Sequence, residues 1–429
     1  MTDRPLLNRH TLTYALYDWG NSAFATTVMA GFFPVFFKQF WSAGTDVTVS
    51  TARLGFANAI AGLIIALLAP VLGAISDRGI HKKRFLLFFT LFGALFSFAL
   101  YCVGEGNWSL AAIFYVAGTI GFIGSNLFYD SLLVDVATPT HRDLVSSFAY
   151  AAGYLGGGLL FAVNVLMTLK PQLFGLAGPA QAVRISFLSV GLWWLVFGLP
   201  IQFTKDKRKP SRPFNPQLIG AAFRQLATTL GEVRNYRNIV FFLLAYWLYI
   251  DGVYTVIKMA VDYGLSLGFR SSALITALLI TQFVGFPAAL FFGWLAGRIG
   301  AVRAIRCAIF VYLCVTIYGA FMRSEFEFYI MAVTIGLVQG GVQALSRATF
   351  ANMIPLDKSA EFFGFYNMVG KFAAIAGPAL IAVTGLLARA SGFSASTSTR
   401  LGISSISLMF IGGWLLLGLS ARGRENPHG

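Results

Sequence analysis

Residues 14–20 read YALYDWG and residues 246–252 read YWLYIDG, nearly the same string with one residue inserted before the aspartate. Both lie in long apolar stretches. Two more pairs follow in the same order. PVLGAISDRGIHKKR, from Pro70, matches FFGWLAGRIGAVR, from Phe291, with Gly73 over Gly293 and Arg78 over Arg298. Ser131–Pro139 has its counterpart in Ser346–Pro355. The offsets are similar, so the chain reads as a tandem repeat, and each half is expected to fold alike.

Composition says what is repeated. Of 429 residues, 57% are hydrophobic, 15% aromatic and only 11% charged, against about 25% charged in ordinary soluble domains. The apolar residues come in blocks of about 20, the length that spans a hydrocarbon core as helix. A barrel would alternate in short segments instead. The sequence therefore predicts an all-α membrane protein with about twelve transmembrane helices in two six-helix pseudo-repeats. The spans fall near 11–40, 54–76, 84–103, 108–135, 143–168, 184–203, 238–262, 271–297, 302–322, 326–350, 360–388 and 400–421.

The net charge of +15 is distributed by loop rather than gathered into a nucleic-acid patch. Of 32 Lys and Arg, 22 fall on one side of these spans, 7 on the other and 3 within them. That bias places both termini in the cytoplasm, with a bacterial inner membrane the expected home. The partners expected are the lipid bilayer and a small-molecule substrate, with no nucleic acid, in a monomer. TKDKRKPSRPFNP (204–216) is the longest basic, proline-bearing stretch. It divides a bundle of residues 1–203 from one of 238–429, with 204–237 as a cytoplasmic linker that touches anionic lipid at most secondarily. The N-terminus runs into the first span with no cleavage site, which reads as an uncleaved first helix. Cys102, Cys307 and Cys314 lack metal or redox spacing and read as packing thiols. The four histidines (His10, His81, His141, His428) fall in loops or ends, and no metal or cofactor is expected.

Polar residues inside spans are costly and so call for a wet cavity or a partner helix. Tyr14, Tyr17, Asp18 and Asn21 share one face of the first span, and Tyr246, Tyr249 and Asp251 repeat that stripe in the seventh. Asp251, Tyr254, Thr255, Lys258 and Asp262 continue along one face. The fourth span adds Asn126, Tyr129 and Asp130; the eighth and tenth add Gln282, Gln339 and Gln343. Lys371 lies near mid-depth of the eleventh, one turn after Asn367, and needs an acid: Asp251 first, Asp18 second. Two stripes facing each other across a pseudo-twofold would give aromatic walls with carboxylates among them. Acids and a base together suit a small zwitterion, its carboxylate at Lys371 and its ammonium at Asp18 or Asp251. The alternative is purely structural bonding between helices, worth about 0.6 kcal/mol per contact. Asp135, Arg142 and Arg347 are placed at the cytoplasmic rim as gate or packing ions.

Parallel six-span repeats around an axis normal to the membrane resemble the major facilitator fold, whose substrate site lies between halves near the midplane. The loop Gly73-x-x-x-Asp77-Arg78, followed by Lys82, Lys83 and Arg84, looks like that superfamily's loop motif. The resemblance implies that Asp77 caps the start of the eleventh span and holds the cytoplasmic side shut. Ile80 replaces the usual glycine after Arg78, and Gly297 stands before Arg298 where the second copy would carry Asp, so the gate is expected to rest on the first half. YDWGNSAFATTVMAGFFPVFF (17–37), DGVYTV (251–256), QGGVQALSR (339–347) and AEFFGFYNMVGKFAAIAGP (360–378) resemble the vacuole-effluxer-like branch. Its eukaryotic members are described as exporting amino acids from the vacuole. The resemblance implies a secondary active transporter of amino-acid-like zwitterions working by alternating access, with export and proton coupling expected. No H-E-x-x-H, G-x-S-x-G or Walker loop is present, so an enzyme or an ATP-driven pump is not expected. A channel, a lipid scramblase and a non-transporting receptor or scaffold stay open as rivals.

Overall fold

A computed structural model describes residues 8–78, 82–203, 237–266 and 268–422, with three isolated positions (220, 224 and 228) between. The basic linker predicted at 204–237 lies almost wholly outside the described residues. Among those described there are no strands and twelve long helical segments. They are α1 (Arg9–Trp41), α2 (Val47–Arg78), α3 (Lys82–Tyr101), α4 (Trp108–Ser131, extended by Leu133–Val136), α5 (Arg142–Leu169) and α6 (Pro179–Gly198). Then come α7 (Arg237–Ser266), α8 (Ser271–Ile299), α9 (Ala301–Gly319), α10 (Glu325–Ala351), α11 (Ser359–Ala390) and α12 (Ala395–Ser405, then Ser407–Arg422). Eleven are long and apolar enough to cross a membrane, and α11 contributes an apolar segment, Ala376–Ala390.

Why these residues wind into helices is clear locally. Asn8 caps α1: its Oδ1 accepts from the amides of His10 (2.9 Å) and Thr11 (3.1 Å), while Thr11 Oγ1 accepts from Asn8 N–H. Such a reciprocal cap satisfies amides that have no partner within the helix. Phe24–Phe32 and Phe37–Trp41 wind wider, with i to i−5 bonds such as Ser42 N–H to Phe37 O at 2.9 Å. Ser324 opens α10 with the same kind of box, closed by Glu327. The outer surface carries large exposed apolar side chains, among them Phe56, Leu67, Phe88, Ile113, Leu192, Phe310 and Leu386. Helices with one apolar face turned outward and the other packed inward are what a lipid solvent requires.

Packing repeats as the sequence does. In the first half α1 packs on α5 and α6, α4 on α2 and α3, and α3 on α6; α7–α12 repeat every one of these pairs. Between halves, α2 meets α11 and α5 meets α8; α5 also meets α10, and α4 meets α11. Even small features recur. Arg184 of α6 donates to Tyr101 O at the end of α3 (2.8 Å), and Arg400 of α12 donates to Ala320 O (2.5 Å) and Met322 O (3.2 Å) at the end of α9. Each arginine satisfies carbonyls that a helix C-terminus leaves open. At the starts of α2 and α8, Arg53 lies over the Trp108 ring (3.8 Å) and Arg270 pairs with Glu325 (2.8 Å).

Two expectations are corrected here. The second and sixth helices start earlier than hydropathy suggests, α2 at Val47 rather than near residue 54 and α6 at Pro179 rather than near 184, because polar first turns still make helical hydrogen bonds. The three cysteines are exposed rather than packed.

Candidate functional site

Alternation of direction puts the starts of odd helices and the ends of even ones at one end of the bundle, here the proximal end. There the halves are joined by polar contacts. Asp77, at the end of α2, accepts from the first amides of α11, Ala360 N–H (3.2 Å) and Glu361 N–H (2.8 Å). Those amides have no partner within their own helix, and an anion there also meets the positive end of the helix dipole. Gly73 and Gly364 make the approach possible. A Cβ on Gly73 would lie 2.9 Å from Glu361 Cα and one on Gly364 2.7 Å from Ala69 O, so backbone meets backbone where α2 crosses α11. Lys82, buried at the start of α3, donates to Ser131 O (2.9 Å), Asp135 (2.9 Å) and Ser359 Oγ (2.8 Å), tying α4 and α11 together. Arg142, first residue of α5, donates to Ala351 O (2.7 Å) and Asn352 Oδ1 (3.0 Å) at the end of α10. Both ends of the short α10–α11 connection are thus capped from the other half: one by a carboxylate, one by a guanidinium.

Deeper in lies the charge cluster. Asp18 sits nine residues past Arg9, about 13 Å along the helix. It faces Asp130 of α4, and between them comes Arg347 of α10, 1% exposed. Its Nη1 is 3.2 Å from Asp130 Oδ1 and 3.7 Å from Asp18 Oδ2. Its Nε donates to Ser146 Oγ (2.9 Å) and Nη2 to Ser146 O (3.1 Å). Three rings surround the guanidinium: Tyr150 (4.4 Å), Tyr129 (5.3 Å) and Tyr14 (5.5 Å). The Tyr129 hydroxyl donates to Tyr14 O (3.0 Å) and Asp18 Oδ2 (3.2 Å), and Ser22 Oγ donates to Asp18 Oδ1 (3.3 Å). A buried charge is tolerable only with partners of this kind. Ser146 also bonds across to Ala344 O (2.7 Å).

Asp251 mirrors Asp18 in position but not in partners. Each bonds a hydroxyl one turn on, Ser22 or Thr255 (3.2 Å), and each lies against a glycine of the repeat-equivalent helix. A Cβ on Gly153 of α5 would be 3.1 Å from Asp18 Oδ1, and one on Gly377 of α11 would be 2.8 Å from Asp251 Oδ1. In the second half the glycine amide itself donates to Asp251, at 3.1 and 3.0 Å.

The remaining candidates divide. Tyr17 and Tyr249 do not face each other across the halves. Tyr17 stacks on Tyr129 (4.8 Å) and bonds Thr90 (2.8 Å); Tyr249 bonds Ser346 (2.7 Å). Tyr246 stacks on Tyr366 of α11 (4.1 Å). These rings tie each helix into its own half, because a phenol buried in a bundle takes the nearest partner. Tyr254 is half-buried on α7. Gln282 of α8 bonds Thr26 of α1 across the halves, its Cβ against Gly158, and Gln339 of α10 reaches Tyr154 of α5. Asn21 lies toward Ser125 (3.4 Å), Asn367 bonds Phe363 O of its own helix (3.0 Å), and Asn126 and Gln343 are half-buried. Arg298 is exposed over Trp294 one turn earlier (4.8 Å). The side chains of Arg78, Lys258, Asp262 and Lys371 lie outside the described ones, so the Asp251–Lys371 pairing does too. Sequence reasoning missed Ser146 and Tyr150, and set Arg347 at the rim. The signal available was the i, i+4 spacing of Ser146 and Tyr150 on an otherwise small-residue face.

Among the described residues, twelve long helices, eleven of them long and apolar enough to cross a membrane, form two repeated sets joined at one end by polar caps around a buried charge cluster, and this arrangement is that of a transporter of the major facilitator class. The chain belongs to the family described as vacuole effluxer Atg22 like, whose model matches residues 42–142 and 134–411. It is 37% identical over 407 residues to the uncharacterized MFS-type transporter YxiO of Bacillus subtilis, covering 94% of this chain and 93% of that one. It is 26% identical to autophagy-related protein 22-2 of Aspergillus clavatus over 263 residues, 55% of this chain but only 42% of the fungal protein. Among solved structures it resembles the human organic anion transporter MFSD10, with TM-score 0.69 and 16% identity, covering 97% of this chain and all of that one.

Proposed function

We propose that this chain is a secondary active transporter of an amino-acid-like zwitterion, in which residues 8–203 and 237–422 rock as two bodies. The proximal end, carrying the basic loops, faces the cytoplasm of a bacterial inner membrane. The observation that carries the reading is the Arg347 cluster: a fully buried cation from one half held between two carboxylates of the other, at the seam where the halves must part. A purely structural ion pair could sit anywhere; this one sits with the Asp77, Lys82 and Arg142 contacts on a single separable surface. The same bonds that close the proximal end must break for it to open. Solute shifts that balance only by binding one state more tightly. Acids on α1, α4 and α7 suit the ammonium of a zwitterion. The protons that neutralise those acids supply a coupling ion, and outward movement of solute completes the proposal.

The test is counterflow in proteoliposomes loaded with a single amino acid. Saturable exchange that accelerates with solute on the opposite side supports a carrier. Flux without saturation points to a pore, and binding without flux to a receptor. Dependence of the flux on an imposed pH gradient decides the coupling.

A further inference from the structure

All six groups around Arg347 belong to one half. Asp18 and Tyr14 come from α1, Asp130 and Tyr129 from α4, Ser146 and Tyr150 from α5. The guanidinium they hold comes from the other half, whose Ala344 O also accepts from Ser146. We infer that the pocket Arg347 fills is the receptacle for the cationic group of the solute, a guanidinium or primary ammonium, which enters it when the halves part at the proximal end. The inference rests on the alternating-access reading and names the group of the solute that this site takes.

The receptacle is built without help from Arg347. Tyr129 stacks on Tyr14 (4.2 Å) and Tyr17 (4.8 Å), and Tyr17 is fixed by Thr90. Tyr129 and Ser22 hold both oxygens of Asp18. These contacts lie within α1, α3 and α4, so the wall formed by Asp18, Tyr14 and Tyr129 keeps its shape when α10 withdraws, while Ser146 loses its Ala344 O acceptor and is freed to meet a ligand. What remains is two carboxylates, a hydroxyl, a carbonyl and three ring faces. Ring faces attract weakly hydrated organic cations, and a flat guanidinium above all. Withdrawing the guanidinium removes positive charge from between two carboxylates in a low-dielectric site, which is unfavourable. An incoming cation restores it, so it binds the open state more tightly than the closed one and shifts the balance toward opening. Arg347 is then a tethered competitor, and its removal should strengthen binding of a free cation.

The experiment compares thermal unfolding of the purified wild-type chain, Arg347→Ala and the double variant Arg347→Ala/Asp130→Asn. Each is read in millimolar guanidinium chloride, arginine or, at equal ionic strength, sodium chloride. Guanidinium and arginine are expected to raise the midpoint of Arg347→Ala by about 2 °C or more over sodium, with no such rise for wild type or the double variant. Equal responses in all three proteins overturn the proposal. Should Arg347→Ala not fold, the full chain carries the test: with its three cysteines replaced and Ala351→Cys introduced at the buried end of α10, alkylation is followed with millimolar guanidinium or its neutral isostere urea. Faster labelling with guanidinium alone supports the receptacle; equal labelling with urea, or no acceleration with either, overturns it. Both arms read binding, so absence of counterflow with every solute would defeat the transport reading without deciding this one.

Discussion

Gly73→Ala is a small change placed where the halves touch most closely. The new Cβ would lie 2.7 Å from Ala360 C and 2.9 Å from Glu361 Cα, inside normal contact distance and against backbone that cannot rotate away. Relief requires α2 and α11 to separate by about half an ångström or more, and overpacking of this kind costs about 1–3 kcal/mol. The strain exists only while the proximal end is closed, so it shifts the balance toward the open state by about 5- to 150-fold. The assay is alkylation of Ala351→Cys in a chain whose exposed Cys102, Cys307 and Cys314 have been replaced, since they would otherwise react first. Ala351 is fully buried beside Arg142 in the closed end, so its labelling reports opening. Gly62→Ala, on the same helix with nothing within 4 Å, is the control and should change nothing. Equal labelling rates in the Gly73 and Gly62 variants would refute the idea that the α2–α11 crossing is a closing contact.

Asp77→Asn should speed the same alkylation by about fivefold, since it leaves one good acceptor for two amides and removes the charge at the helix start, worth about 1 kcal/mol; unchanged labelling would show that the cap does not hold the end shut. Arg142→Met should act in the same direction, and combined with Asp77→Asn should give less than the sum, because both cap one short connection; strict additivity would separate the two contacts. Gly377→Ala drives a methyl into Thr255 and Asp251, and should lower the unfolding midpoint by several degrees with little change in proximal alkylation; a neutral midpoint would mean that α11 relaxes there freely.

The helices were legible because a bilayer forces about 20 apolar residues per crossing, and the repeat because YALYDWG and YWLYIDG survive in register. The ends were less so. α2 starts seven residues before its expected position, since hydropathy detects lipid contact while VTVSTAR satisfies helical hydrogen bonds without it. Periodicity put Tyr17, Asp18 and Asn21 on one stripe but could not say which neighbour each of them meets. Tyr17 and Tyr249 turn into their own bundles, while Asp18 turns to the seam. Side-chain charge matching led from Lys371 to Asp251, a pairing that lies outside the described side chains; the contact that is described, from the Gly377 backbone amide, carries no mark in the charge pattern. Arg347 was visible as a charge near the end of a span. Its place at the centre depends on three helices of the other half converging on it, which local sequence does not encode.

The most direct measurement of the central claim is the distance between spin labels at Thr140 and Asp357, exposed positions at the proximal end in the α4–α5 and α10–α11 connections. Two populations are expected in membranes, the shorter matching the closed end, with the longer one growing in Gly73→Ala and with transported solute. A single, unmoving distance in wild type, in Gly73→Ala and across an amino-acid panel would contradict rocking of the two halves.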